Sequence, residues 1–194
     1  MIMIGRLLCD MIGDIILRNQ ELVSIAVRQR AKFEGWLKFE LARTLRRYFK
    51  NTCVEYNVNT GTYGASEDDE QAETHKLVDI FFDNILLELK TPNTNYANPL
   101  CEDRTRPITK NIESILDDVK KLHDILQMPN LHGPLRGFIA FAMFPLDVEE
   151  KLYMAHIDKI TKEITSYNLN VPPITKVIKL DNQIPILIYV AGVK

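Results

Sequence analysis

The stretch Lys76-Leu-Val-Asp-Ile-Phe-Phe-Asp-Asn-Ile-Leu-Leu-Glu-Leu-Lys90 restricts the possible folds of this chain more than any other segment. It reads as two short strands around a tight turn at Asp83-Asn84, residue types that tolerate the positive φ of a two-residue hairpin. With those two at the tip, Phe82 faces Ile85, Phe81 faces Leu86, Ile80 faces Leu87 and Asp79 faces Glu88. Side chains alternate along a strand. One face therefore gathers Val78, Ile80, Phe82, Ile85, Leu87 and Leu89, and the other carries Leu77, Asp79, Phe81, Leu86, Glu88 and Lys90. Like charges placed opposite each other destabilise a sheet, so Asp79 and Glu88 require a nearby cation. Lys90 on the same face can serve, and a bound divalent ion would do more. On this reading, truncating either acid leaves the apo fold as stable as before or slightly more so.

Periodicity places the other elements. Residues 3–18 and 21–49 read as helices, the first with an apolar stripe of Ile4, Leu8, Met11, Ile12, Ile15 and Ile16. That stripe suits packing on the chain's own core, or a homodimer formed through this helix. Cys53–Asn59 alternates as a half-exposed strand, and Thr60–Glu73 reads as a solvated acidic loop. Pro92–Arg106 is a long irregular connection, of a kind that is often functional or mobile. Pro107 suits the first turn of a helix that runs on through Ile112, Ile115, Val119 and Leu122. Gly137–Phe144 is a continuous apolar run, expected as a strand buried on both faces. Asp147–Tyr167 reads as a helix with Leu152, Ala155, Ile160 and Ile164 inside, and Ile174–Leu180 pairs with Ile184–Ala191 around Asp181-Asn182. No repeat or linker divides the 194 residues, so a single domain spans 1–194, with 1–27 as an N-terminal helical extension. The fold class is α/β, a mixed sheet flanked by helices.

Two carboxylates on adjacent strands offer oxygen ligands to a hard cation such as Mg²⁺, which needs only one or two of them. Such an ion polarises a phosphodiester oxygen and helps to generate hydroxide from water. Lys90 could orient or deprotonate that water, or stabilise charge in the transition state. The residue set thus points to metal-assisted phosphodiester hydrolysis.

Asp79, eight intervening residues and then Glu88-Leu89-Lys90, on a hairpin that follows a helix and a strand, resembles the PD-(D/E)xK nuclease superfamily, which has the restriction-endonuclease-like fold. The order helix, three strands, helix, strand is similar to that family's core from about residue 28 to 144, with a further helix and hairpin at the C-terminus. Val78 stands before Asp79 where the family name has proline. The resemblance implies an Mg²⁺- or Mn²⁺-dependent endonuclease acting on DNA, less often RNA, in restriction, repair or defence. It implies that Asp79 and Glu88 bind the metal and that Lys90 is catalytic. It also implies a further glutamate from the first core helix, for which Glu34 and Glu40 both qualify, and an assisting polar residue at Lys110 or Asn111. A silent copy of the same fold, serving as a binding or structural subunit, is the alternative.

Residues 28–50 hold eight bases against Glu34 and Glu40, within a chain of net charge -2. Arg43, Arg46 and Arg47 on this stretch are candidate phosphate contacts, with Arg104, Arg106 and Lys110 extending the basic supply. The 46% hydrophobic and 26% charged composition fits a globular protein. The apolar N-terminus is interrupted by Asp10 and Asp14 and is too short and polar to span a bilayer, so no membrane association is expected. Three scattered cysteines without a CxxC pair suit a reducing, cytoplasmic setting.

Overall fold

The computed structural model describes residues 2–58, 62–63, 77–102, 108–129, 134–147, 151–167 and 172–193. Among these the order is α1 (Ile2–Arg18), α2 (Gln20–Arg28), α3 (Glu34–Leu45), β1 (Cys53–Asn57), β2 (Thr62–Tyr63), β3 (Leu77–Phe82), β4 (Ile85–Lys90), α4 (Thr109–Leu126), β5 (Arg136–Met143), α5 (Lys151–Ser166), β6 (Ile174–Lys179) and β7 (Pro185–Val193). The seven strands form one sheet in the order β2-β1-β3-β4-β5-β7-β6. β4 and β5 run parallel, whereas every other neighbouring pair is antiparallel. Parallel neighbours need a long crossover, and α4 supplies it. The protein is therefore α/β with a mixed sheet, as expected.

Strand alternation distributes the core into two layers. Phe138, Ala140 and Ala142 of β5 join Ile80, Phe82, Leu87 and Leu89 under α1, α2 and α3. Ile139, Phe141 and Met143 join Leu86, Leu187 and Tyr189 under α4 and α5. The continuous apolar run in β5 follows, because helices cover both of its faces. Ile112, Ile115, Val119 and Leu122 recur at three- and four-residue spacing on α4 and are all buried. Asp83 and Asn84 adopt φ of 43° and 62°, the left-handed pair that closes a two-residue hairpin.

The first helix is part of this core rather than an appendage. Leu8, Met11, Ile12, Ile15 and Ile16 are buried in the layer that covers β5 and β7, so of the two readings of this stripe the structure shows packing on the chain's own core. The expected helix over 21–49 is two helices. The break falls at Arg30, whose φ is 50° and which is 1% exposed. Its guanidinium donates to the carbonyls of Thr94 (2.5 Å), Tyr96 (2.7 Å) and Glu102 (2.6 Å). A charged side chain is buried only when its donors are satisfied, and here the connection 91–102 folds around it to do so. The part of the long connection that the structure describes is thus tied down.

Smaller differences have local causes. The closing hairpin turns on three residues, with Gln183 at φ 65° donating its N–H to Leu180 O. On α5 Ala155 is exposed, and Tyr153 and Ile157 are buried with Ile160 and Ile164. The acidic run Glu67–Glu70, Pro107, Arg104 and Arg106 lie outside the described residues. Cys9, Cys53 and Cys101 are free thiols. Among the described residues, no helix is long and apolar enough to cross a membrane.

Candidate functional site

The hairpin does not run as a regular ladder to its open end. β3 and β4 pair through Phe82↔Ile85, Phe81↔Leu86 and Ile80↔Leu87, and there the ladder stops. In the hairpin register Leu89 N–H would donate to Val78, but it donates instead to Asp79 Oδ2 at 2.8 Å. Asp79 is thus wedged into the fork where the strands part, rather than facing Glu88 as a ladder pair. Alternation also fails at this point. Val78 belongs to the α4–α5 layer while Ile80 belongs to the opposite one, so Val78 does not share a face with Ile80 and Phe82. On β1, Val54 and Tyr56 pack on opposite layers in the same way. The register Val54↔Ile80 and Tyr56↔Val78 sets Glu55 beside Asp79, and Glu55 has φ 52°. Both strands change face at one level, and a positive φ at a non-glycine residue marks the place.

The fork collects charges from three directions. On the α3 side, Lys38 Nζ lies 3.1 Å from Glu55 Oε1 and 3.3 Å from Asp79 Oδ1. On the α4 side, Lys121 Nζ lies 2.5 Å from Glu88 Oε1 and 3.9 Å from Asp118 Oδ1. Lys90, at the end of β4, reaches both helices, with Asp118 Oδ2 at 2.9 Å and Glu34 Oε1 at 3.6 Å. Hydrogen bonding fixes Glu34 there. Phe33 N–H donates to Thr91 Oγ1 (3.1 Å) and Thr91 N–H to Glu34 Oε2 (3.4 Å), which joins the start of α3 to the end of β4.

Glu34, Asp79, Glu88 and Lys90 are therefore brought together, and Glu40 is not. Glu40 turns to Arg43 of its own helix at 2.6 Å. Lys110 is exposed on the first turn of α4. Asn111 holds the loop instead, donating to Asn93 O (2.7 Å) and Asn93 Oδ1 (2.9 Å). The α4 residues at the fork are Asp118 and Lys121, which sequence reasoning missed along with Lys38 and Glu55. A signal existed for two of them. Asp118 is three residues after Ile115 and four before Leu122, so it borders the buried stripe, and Lys38 is four residues after Glu34 beside Leu37 and Leu41.

Electrostatics at the fork are uneven. The Glu88 side chain is 2% exposed. Burial, and then the charge of Asp79, pushes its carboxyl well above the usual carboxylate range, with Lys121 pulling the other way. Burial alone would lower the pKa of Lys90, but Asp118, Glu34 and Asp79 together hold it raised. Lys90 is therefore a fixed cation in this state rather than a base. Glu88 Oε1 and Asp118 Oδ2 are buried and face ammonium groups without an aligned hydrogen bond. Five carboxylates meet three lysines here, an excess of two negative charges when all are ionised.

The donors are all oxygens, which suits a hard cation and not a soft one. Among the described residues no three His, Cys, Asp or Glu side chains form a ready-made metal cage. Beside the fork, between α3 and the edge of β1, Arg43 and Arg46 line a cavity of about 770 Å³, while Arg47 is exposed outside its lining. Two other members of the basic run are engaged elsewhere, Arg30 in the core and Lys38 at the fork. Comparison of the chain with family models, curated proteins and solved structures finds no match.

Proposed function

We propose that the protein is a metal-dependent nuclease that hydrolyses phosphodiester bonds, with DNA as its main substrate, built on the restriction-endonuclease-like plan. The observation that carries this reading is the meeting of Glu34, Asp79, Glu88 and Lys90 at one strand fork, from a helix and two strands. The element order supports it. α3, the meander β1-β3-β4, the crossover α4 and the parallel strand β5 follow the helix-strand-strand-strand-helix-strand core that the resemblance implies.

Mg²⁺ or Mn²⁺ fits the oxygen-only donors and the excess negative charge, and when bound it would polarise a phosphodiester oxygen and acidify a water. Asp79 and Glu88 would hold it, with Glu34 on the same network. Lys38 and Lys121 neutralise these acids in its absence and must give way. Lys90, fixed as a cation by Asp118 and Glu34, is suited to stabilise negative charge developing on the phosphate. A second reading has an observation of its own. Lys121 at 2.5 Å from Glu88 occupies one metal ligand, as it would in a silent copy that serves as a binding subunit.

The test is incubation of supercoiled plasmid and single-stranded circles with the protein, in Mg²⁺, in Mn²⁺ and in EDTA. Nicking or linearisation with either metal and none with EDTA is the expected result. Intact substrates under all conditions would leave the binding-subunit reading.

A further inference from the structure

We infer that the cavity between α3 and the β1 edge binds single-stranded nucleic acid alongside the acid cluster. The inference rests on the nuclease reading and adds the form of the substrate. Phe39, Arg43, Arg46 and Lys50 supply its chemistry, and its volume of about 770 Å³ falls in the range of ligand sites. Cys53 and Val54, at the start of β1, form its floor beside α3.

Charge and aromatic surface are combined here. No carboxylate lines the cavity among the described residues. Arg43 contacts Glu40, but its side chain is 68% exposed, and such surface pairs hold weakly. Arg46 and Lys50 have no ion-pair partner among the described residues. Phe39 is 58% exposed, a large apolar ring left in water on a helix. Tyr56 and Phe81 border the cavity but pack on the α4–α5 layer and stack on each other, with centroids 4.4 Å apart and planes 16° apart. Phosphates answer the cations, and an unstacked base answers the exposed ring of Phe39. Bases inside a duplex already stack on one another and offer only their edges, so that ring favours a single strand.

Position links the cavity to the fork. Lys38 precedes Phe39, Glu55 lies between Val54 and Tyr56, and Phe81 is two residues beyond Asp79, about 7 Å along the strand. A phosphate drawn to a metal ion at these acids would therefore lie next to the cavity.

Fluorescence anisotropy on the full chain in EDTA tests this, using a fluorescein-labelled oligothymidylate of roughly ten nucleotides. Competitors are the same oligonucleotide unlabelled, its duplex with oligoadenylate, and thymidine monophosphate. The unlabelled single strand should compete at least about tenfold better than either of the others. Phe39→Ala should weaken binding about tenfold and Phe39→Trp should preserve it, since the ring face is what matters. Arg46→Ala should reduce the slope of log affinity against log salt by about 0.7. Equal competition by duplex or mononucleotide, or unchanged binding in both Phe39→Ala and Arg46→Ala, would overturn the inference. Plasmid cleavage without oligonucleotide binding would remove this site and leave the nuclease reading, and binding without cleavage would do the reverse.

Discussion

Asp79 serves the backbone as well as the site. Its Oδ2 accepts the N–H of fully buried Leu89, and its Oδ1 faces Lys38. Relief of like-charge repulsion, the effect that would leave a truncated variant as stable as before, is outweighed. Asp79→Ala strands a buried N–H and should cost about 1–3 kcal/mol in urea denaturation. An unchanged midpoint would show that water replaces the carboxylate at the fork. Glu88 behaves oppositely, because burial and Asp79 raise its folded pKa. The unfolded chain releases this proton near pH 4.3, about the ordinary glutamate value, while the folded chain keeps it. Its contribution to stability is full below that value and falls as pH rises toward the raised folded pKa. Glu88→Gln cannot ionise. In metal-free buffer its stability advantage over wild type should therefore grow with pH across this window, and parallel stability curves would contradict the assignment.

At the scale of elements, the junctions matter most. The start of α3 is joined to the end of β4 through Thr91, which places Glu34 and not Glu40 beside Lys90. Glu34→Gln should lower the cleavage rate at least tenfold and Glu40→Gln by less than about twofold, the usual gap between a group at the reaction and one outside it. Similar losses in both variants would mean that Glu34 has no special role. The α2–α3 turn is held by Arg30, so Arg30→Ala should cost about 3 kcal/mol or more, against about 0.5 kcal/mol or less for exposed Arg47→Ala. Thermal melting of the two variants checks this. Arg30 also marks a limit of what the sequence reveals. It sits in a basic run and looks like surface charge, because its partners at Thr94, Tyr96 and Glu102 lie more than sixty residues away. Glu55 is similar. Its strand reads as regular alternation, and only the neighbouring strand shows where the faces exchange.

Across the whole molecule, legibility followed the range of the interactions. The α4 stripe, the doubly buried β5 and the Asp83-Asn84 tip depend on nearest neighbours, and each was readable. The α/β class followed from their order. The position of α1 against β6 and β7, and the arrival of Asp118 and Lys121 at the fork, depend on how the layers close over the sheet. Local periodicity sets Asp118 and Lys38 at the borders of their buried stripes but not at the fork, so the hairpin gave Asp79, Glu88 and Lys90 without the lysines that hold the acids. The proposed function makes these residues a metal-dependent hydrolytic centre in which Lys90 acts as a fixed cation. The most direct measurement is the plasmid cleavage rate at rising Mg²⁺ for wild type and Lys90→Met. The rate should saturate with Mg²⁺ in wild type and fall by roughly a hundredfold or more in the variant, the loss typical of removing one charge-stabilising group. Equal rates in the two proteins, or a rate independent of Mg²⁺, would contradict it.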